Sequence, residues 1–144
     1  MKNNQHNKLS AVVITVLLLA AMGFRSEPPY QVMEKFTAPA WADTIKNPFK
    51  GNAAVTAEGK LRYESNCAMC HGLKGKGDGT AAAGLSKPPA DHTSAAVQKL
   101  SDGALFWMIN KGNKPMPSYK DTYNNNQKWA LVNYIRTFAK PVKK

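Results

Sequence analysis

The sequence predicts an all-α domain with long loops, and three observations support this fold class. Near the end of the chain, Leu131, Ile135 and Phe138 lie three or four positions apart, as on one face of a helix. No segment alternates apolar and polar residues convincingly in the way that a half-buried strand does. The stretches between the helical patterns are interrupted by glycine and proline, which is typical of loops.

Residues 1–25 have the pattern of a signal peptide or an N-terminal membrane anchor. Lys2 and Lys8 precede an apolar run from residue 9 to residue 24. At about 16 residues this run is shorter than the roughly 20 that span a bilayer, and no clear A-x-A cleavage site follows, so both readings stay open. The rest of the chain is expected to leave the cytoplasm, because the basic end stays inside. We therefore expect a periplasmic protein, soluble or anchored to the inner membrane.

The chain is strongly basic, with a formal net charge of +11. Only three of its basic residues, Lys2, Lys8 and Arg25, lie in the leader, so the exported part is basic as well. This charge suits acidic protein partners or anionic membranes. It does not indicate nucleic acid, because no DNA-reading motif is present.

Two further regions follow the leader. Residues 26–52 contain four prolines and no sustained period, which predicts an extended arm or linker. Its aromatic residues could pack along the domain or into a partner, and we favour the domain. Residues 53–144 contain the helical patterns. We expect a first helix capped by Thr56 that runs into residue 67, and helices at 94–100 and 102–111, the latter closed by Gly112. A last helix, at 127–139, is expected to be capped by an asparagine among residues 124–126.

Both cysteines of the chain stand in the segment CAMCH, residues 67–71. The spacing C-x-x-C-H is a signature of c-type haem attachment. Cys67 and Cys70 lie on one face of a helical turn, so both sulfurs can form thioethers to the two vinyl groups of one porphyrin. His71 would bind the iron as the proximal ligand. The motif thus predicts one covalently bound haem c (heme c).

Three other uses of these residues fit less well. A thioredoxin-like redox pair belongs in a βαβ setting that the sequence lacks. A structural zinc site needs four ligands, and His92 would be a distant fourth. A plain disulfide needs no adjacent histidine, and an exported chain agrees with haem attachment.

The sixth iron ligand decides between an electron carrier and a haem enzyme or gas sensor. The candidates are Met33, Met69, Met108, Met116 and His92. Met69 lies inside the motif, Met33 belongs to the arm, and Met108 sits in a helix where methionine usually fills the core. Met116 lies between two prolines in a loop, and His/Met ligation suits cytochromes c. We therefore favour Met116, with His92 second.

Residues from about 52 to 140 resemble the bacterial class I monohaem cytochromes c. The resemblance rests on Gly59, Tyr63, the attachment motif, a GKGDG loop, a proline pair, and the segments LFWMINKG, PMPSY and WALVNYIR. It implies the class I cytochrome c fold, with several helices and long loops around one covalently attached haem.

The same resemblance implies specific contacts. Gly59 and Tyr63 of the first helix would pack against Leu131 and Tyr134 of the last. A loop-proline carbonyl, from Pro88 or Pro89, would accept the N–H of His71 and orient its imidazole. More loosely, the arm and first helix are similar to the monohaem cytochrome subunit of alternative complex III, although residues 20–26 have no cysteine to carry a lipid.

The function that these features predict is single-electron transfer, without catalysis, between exported or membrane-bound redox partners. The expected partners have acidic docking surfaces, as in a quinol-oxidising complex or a terminal oxidase or reductase, and membrane association is an alternative. The rival hypotheses are a subunit of a membrane quinol-oxidising complex, and a ligand sensor or peroxidase-like protein with an open sixth position. The proposed docking surface consists of six loop lysines: Lys74, Lys76, Lys87, Lys111, Lys114 and Lys120.

Overall fold

The computed structural model of the chain describes residues 36–139. The predicted leader at 1–25, the first part of the arm and Met33 lie outside these residues. Within 36–139 there are five α-helices: α1 Ala53–Asn66, α2 Ala68–His71, α3 Ala95–Gln98, α4 Asp102–Lys111 and α5 Asn125–Arg136. Two 3₁₀ helices, Ala40–Thr44 and Ala82–Gly84, complete the regular structure of this part.

The predicted all-α class is confirmed. In residues 36–139 the only β pairing is one isolated antiparallel bridge between Asn113 and Met116. The long loops are also present, and the longest, between α2 and α3, contains five of the ten glycines and the proline pair. None of the helices in the described part is both long and apolar enough to cross a membrane.

Most of the predicted helix starts are confirmed, and one is wrong. Ser94 and Ser101 accept backbone N–H groups at the starts of α3 and α4, and Gly112 ends α4 with φ +65°. Asn124 caps α5 in a capping box with Gln127. Thr56, however, is not a cap.

The first helix begins three residues before the predicted cap. Its N-cap is Asn52, whose side chain accepts the N–H of Val55, while the hydroxyl of Thr56 donates back to the carbonyl of Asn52. The alanines at 53 and 54 favour helix, so the better cap lies upstream of them. At the other end of the domain, α5 ends at Arg136, earlier than predicted.

Helices α1 and α5 form the main helix–helix contact of the domain. At Gly59 the two backbones approach so closely that a Cβ would collide with the carbonyl of Ala130 and press on the N–H of Leu131. The rings of Tyr63 and Tyr134 meet edge to face, with centroids 5.2 Å apart. The packing that the resemblance implied for Gly59 and Tyr63 is therefore present.

The buried core extends from this contact toward α4. Tyr63, Leu131 and Val132 are its largest fully buried side chains. The rings of Phe106 and Trp129 stack at 4.3 Å between α4 and α5. Burial of these side chains supplies the hydrophobic stabilisation that holds the three longer helices together.

The described part of the predicted arm packs against the helices. Ala42, in the first 3₁₀ helix, is fully buried, and Phe36 lies 5.6 Å from the ring of Trp107. The carbonyl of Ala42 faces Gly103 at the start of α4, where a larger residue would not fit. The arm aromatics do not all pack, because Trp41 is 58% exposed.

A polar network ties this segment to the end of α5. The amide of Asn47 donates to Asn133 (2.8 Å) and to Asp102 (3.0 Å), and Asn133 donates to the carbonyl of Phe49 (2.7 Å). Asp102 also accepts from Arg136 Nε at 2.7 Å. Every polar side-chain group named here has a partner, as buried polar groups require.

Candidate functional site

The two cysteines lie at the junction of α1 and α2. The backbone turns at Cys67, whose carbonyl accepts the N–H groups of Cys70 (3.1 Å) and His71 (2.8 Å). This single turn places the two thiols three positions apart on one face. Both thiols are free and half-buried, so neither is used in a disulfide.

Burial affects the ionisation of the first thiol. It raises the pKa of Cys67 to about 12, with the nearby Cys70 adding to the shift. At neutral pH the Cys67 sulfur therefore carries its proton. A buried protonated thiol is a poor metal ligand, because the thiolate is the form that binds metals.

The imidazole of His71 is oriented by the loop that precedes α3. Its Nδ1 lies 3.0 Å from the carbonyl oxygen of Ala90, so Nδ1–H donates to that oxygen and Nε2 is left to bind a metal. Burial lowers the pKa of His71, which keeps the ring neutral, as a ligand must be.

The acceptor of His71 corrects the expectation of a proline carbonyl. Neither Pro88 nor Pro89 accepts this bond. The carbonyl of Pro89 faces Gly77 instead, at a place where an added Cβ on Gly77 would meet it. The next residue, Ala90, supplies the carbonyl that reaches His71. The kind of contact that the resemblance implied is present, but its acceptor is Ala90.

His92 occupies a place that the sequence did not predict. Its ring stacks on the ring of His71, with centroids 4.2 Å apart and planes inclined by 16°. Because its ring is stacked against that of His71, His92 would not be placed to hold an iron together with His71 from the other side. Burial, with a contribution from His71, lowers the pKa of His92 to about 3, and this ring is therefore neutral.

The loop that carries Met116 is held at several points. Asn113 and Met116 exchange two backbone hydrogen bonds, at 3.0 and 2.9 Å, around a cis Lys114–Pro115 peptide. Further on, Tyr119 donates its N–H to Ile109 of α4 and its hydroxyl to the carbonyl of Asn66, just before Cys67. The segment is thereby tied both to α4 and to the cysteine motif.

The methionine candidates differ in burial. Met116 is half-buried and packs against the hydrophobic core, whereas Met69 is 57% exposed. Met108 is half-buried within α4. The half-burial of Met108 does not confirm the expectation that it fills the core, and the ligation of iron by Met116 stays a prediction.

Positive charge is available at the surface near the motif. Of the six predicted docking lysines, Lys87 is half-buried and the others are exposed. The ion pairs between residues 36 and 139 use Lys60, Arg62 and Arg136, so none of them neutralises a docking lysine. Met69, inside the motif, and Leu73 (66%), two residues after it, add exposed apolar surface.

The donor set fits a haem c. Two free thiols on one turn match the two vinyl groups of a porphyrin, and the neighbouring neutral imidazole has its Nε2 available. Between residues 36 and 139, no three His, Cys, Asp or Glu side chains group together so as to hold a metal ion by themselves. A surface cavity of about 590 Å³ is lined by polar residues, including Lys50, Thr56 and Arg136, and includes no residue of the motif.

The helical part of the chain matches a known protein family. Residues 54–135 match the family model described as "Cytochrome C oxidase, cbb3-type, subunit III". No curated protein sequence matches the chain.

Two solved structures are similar to the chain. The structure titled "KustC0563 c-type cytochrome" shares 30% sequence identity, with a TM-score of 0.50, over 57% of this chain and 98% of that one. The "Kuenenia stuttgartiensis reducing HAO-like protein complex Kustc0457/Kustc0458" has a chain with a TM-score of 0.59 at 24% identity. That match covers 67% of this chain and spans only half the length of the other, so it indicates the fold alone.

Proposed function

Because the chain belongs to the cytochrome c family described as cbb3-type oxidase subunit III, we propose that it carries single electrons through one His71/Met116-ligated haem c. The family and the c-type cytochrome among its structural neighbours make the protein an electron-transfer cytochrome rather than an enzyme.

The chain's own residues would attach the haem, orient the imidazole that binds its iron and keep oxygen and peroxide from the iron. Cys67 and Cys70 would hold the porphyrin, and His71 would bind its iron through Nε2 while Ala90 holds Nδ1–H. When bound, the haem supplies an iron that cycles between the ferric and ferrous states. With His71 and Met116 both bound to the iron, oxygen and peroxide would have no place to bind.

One observation carries the proposal for Met116: its loop is bonded to α4 and to the residue before Cys67. A methionine in a loop fixed at both ends can hold its thioether still, as an axial ligand must be held. The position of His92 supports the same choice, since that ring stacks on His71 and would not be available opposite to it.

The test is an optical spectrum of the matured holoprotein in the ferric state and after reduction with dithionite. Methionine–iron ligation gives a weak charge-transfer band in the near infrared. We expect this band in the native protein, its loss in Met116→Ala, and its retention in the matched control Met108→Ala. A band that survives Met116→Ala would contradict the proposed ligand.

A holoprotein that lacks the band from the outset would favour the sensor or peroxidase-like alternative. Binding of carbon monoxide to the ferrous protein at neutral pH would then separate an open sixth position from ligation by another strong ligand. The electron-carrier proposal predicts no such binding.

We also propose a periplasmic location and partners with acidic docking surfaces. The basic charge of the chain and the exposed lysines near the motif support this choice of partner. Docking surfaces of this kind are small, below about 1,200 Å² in total, which suits brief redox encounters. Fractionation of cells that express the full chain, with separation of periplasm and membranes, tests the location.

A further inference from the structure

His92 is a polar residue in the buried part of the domain, with only 9% of its surface exposed. Its ring faces that of His71 at a centroid separation of 4.2 Å, close to the contact distance of two flat rings. Buried histidines need partners for their ring nitrogens, and an apolar residue could fill the same space without that requirement. The choice of histidine here therefore calls for an explanation beyond filling the core.

The His92 ring is held from several directions. Its Nδ1 lies 3.1 Å from the hydroxyl of Tyr63, and that hydroxyl lies 3.2 Å from the carbonyl of Gly72. Both contacts are satisfied when Nδ1–H of His92 donates to the Tyr63 oxygen and the Tyr63 hydroxyl donates to Gly72. The rings of Tyr63 and His92 also meet edge to face, with centroids 5.7 Å apart, and the ring of Phe138 lies 6.4 Å from that of His92.

The backbone of His92 is fixed as firmly as its ring. Its N–H donates to the carbonyl of Gly75 at 2.6 Å. Its own carbonyl accepts from Gln98 Nε2 at 2.7 Å, and the same nitrogen donates to Ile135 of α5. These hydrogen bonds connect the backbone of His92 to the loop after the motif and to Gln98 of α3, which in turn is bonded to α5.

The bond from His71 to Ala90 restrains the imidazole only in part. A single hydrogen bond tolerates a range of distances and angles, so the ring can still rotate about its Cβ–Cγ bond within that range. A flat surface against the ring face removes this freedom, because rotation would drive the two rings into each other. The hydrogen bond and the stack together define the plane of the imidazole.

We propose that His92 is a positioning residue that sets the plane of the His71 imidazole, and that Tyr63 holds His92 in place for this role. The proposal rests on the proposed function, since it concerns the proximal ligand of the haem iron. Its consequence is electronic: the orientation of an axial imidazole plane sets the magnetic anisotropy of ferric low-spin iron and the pattern of haem-methyl shifts.

The test compares four variants of the matured ferric holoprotein by proton NMR of the haem methyls and by electron paramagnetic resonance. His92→Phe keeps a flat ring against His71, whereas His92→Leu removes it. Tyr63→Phe keeps the tyrosine ring and removes only the hydroxyl that holds His92. Asn133→Ala is the control for stability, because it removes hydrogen bonds to Asn47 and Phe49 and none to the rings of His71, Tyr63 or His92.

We expect a changed haem-methyl pattern and shifted g-values in His92→Leu, a smaller change of the same kind in Tyr63→Phe, and a pattern close to native in His92→Phe. Asn133→Ala should lower the melting temperature without changing either spectrum. If His92→Leu does not fold, the comparison of Tyr63→Phe with Asn133→Ala decides the question.

Two results would overturn the proposal. In the first, His92→Leu and Tyr63→Phe have native spectra, so that His92 only fills space. In the second, His92→Phe and His92→Leu are equally perturbed, so that the flat ring is not what matters. Failure of the proposed function looks different, because it would show as missing covalent haem or a missing methionine–iron band in the native protein.

Discussion

The rings of Tyr63 and Tyr134 meet edge to face, with centroids 5.2 Å apart and planes inclined by 60°. Tyr63 stands four positions before Cys67, so this contact fixes α1 against α5 directly beside the haem-attachment motif. One turn earlier on α1, Gly59 allows the backbones to approach. The packing of the first helix on the last therefore sets where the motif lies in the domain.

Replacing Gly59 by alanine should destabilise the protein. The new methyl group would collide with the backbone of Ala130, which cannot rotate away, so we expect a loss of about 1–3 kcal/mol in the free energy of unfolding. Urea or thermal unfolding of the holoprotein measures the change. Gly84→Ala is the matched control, because a Cβ there meets no atom within 4 Å, and its effect should stay within about 0.5 kcal/mol. Equal effects of the two substitutions would contradict the close approach.

Replacing Asp102 by asparagine should weaken the link between α4, α5 and the arm. The Asp102 carboxylate accepts from Arg136 and from Asn47, and its side chain is only 16% exposed. Hydrogen bonds to charged groups contribute about 1.5–3 kcal/mol each. We therefore expect Asp102→Asn to lower the free energy of unfolding by an amount in the lower part of that range.

The control for this change is Glu64→Gln, which removes the exposed pair with Lys60 at 3.8 Å. Exposed pairs of this kind contribute about 0–1 kcal/mol. Urea unfolding of both variants measures the difference. A loss in Glu64→Gln as large as that in Asp102→Asn would show that burial of the Asp102 pair is unimportant.

Electron transfer should slow when the loop lysines are reversed in charge. The double variant Lys74→Glu/Lys76→Glu removes positive charge just after the motif, so its rate with an acidic redox partner should fall, and the fall should shrink as salt is added. Stopped-flow kinetics at several ionic strengths measure this. Lys60→Glu, on the exposed part of α1, is the control. Electron-transfer rates that change neither with ionic strength nor with the double substitution would contradict docking to an acidic partner.

The stability of the protein should depend on the ionisation of Lys128 at alkaline pH. This lysine is 4% exposed, its Nζ donates to Asn110 at 2.8 Å, and burial lowers its pKa from the ordinary 10.5. Between the lowered and the ordinary pKa, the unfolded chain binds a proton that the folded chain has released. The contribution of Lys128 to stability therefore rises with pH across this window.

The check is urea unfolding of the native protein and of Lys128→Met from pH 7 to about pH 10.5. Tyrosine ionisation affects both proteins, so the difference between them isolates Lys128. We expect the free energy of unfolding of the native protein to rise relative to that of Lys128→Met as pH rises. A difference that stays constant with pH would show that the lysine titrates alike in the folded and unfolded chains.

The parts of the structure that follow from local signals were predictable from the sequence. Ser94, Ser101 and Gly112 act within one turn of their own positions, and the attachment motif is a contiguous segment. Asn52 was missed because two capping residues, Asn52 and Thr56, stand one turn apart, and the choice between them depends on where the preceding chain packs.

The contacts around His71 depend on the path of a long loop, and local signals do not encode that path. Ala90 and His92 reach His71 only because the loop folds back, with the N–H of His92 bonded to Gly75. Nothing near residue 92 distinguishes a ring that stacks on the proximal ligand from an exposed loop histidine. The resemblance predicted the carbonyl bond to His71 but placed its acceptor at Pro88 or Pro89, one or two residues too early.

The contact between α1 and α5 also bears on the order of events during biosynthesis. The two helices are the first and last α-helices of residues 36–139, so α1 is synthesised before α5. During that interval Tyr63 has no Tyr134 to pack against. The position of Cys67 and Cys70 within the domain is therefore fixed only when the last helix docks.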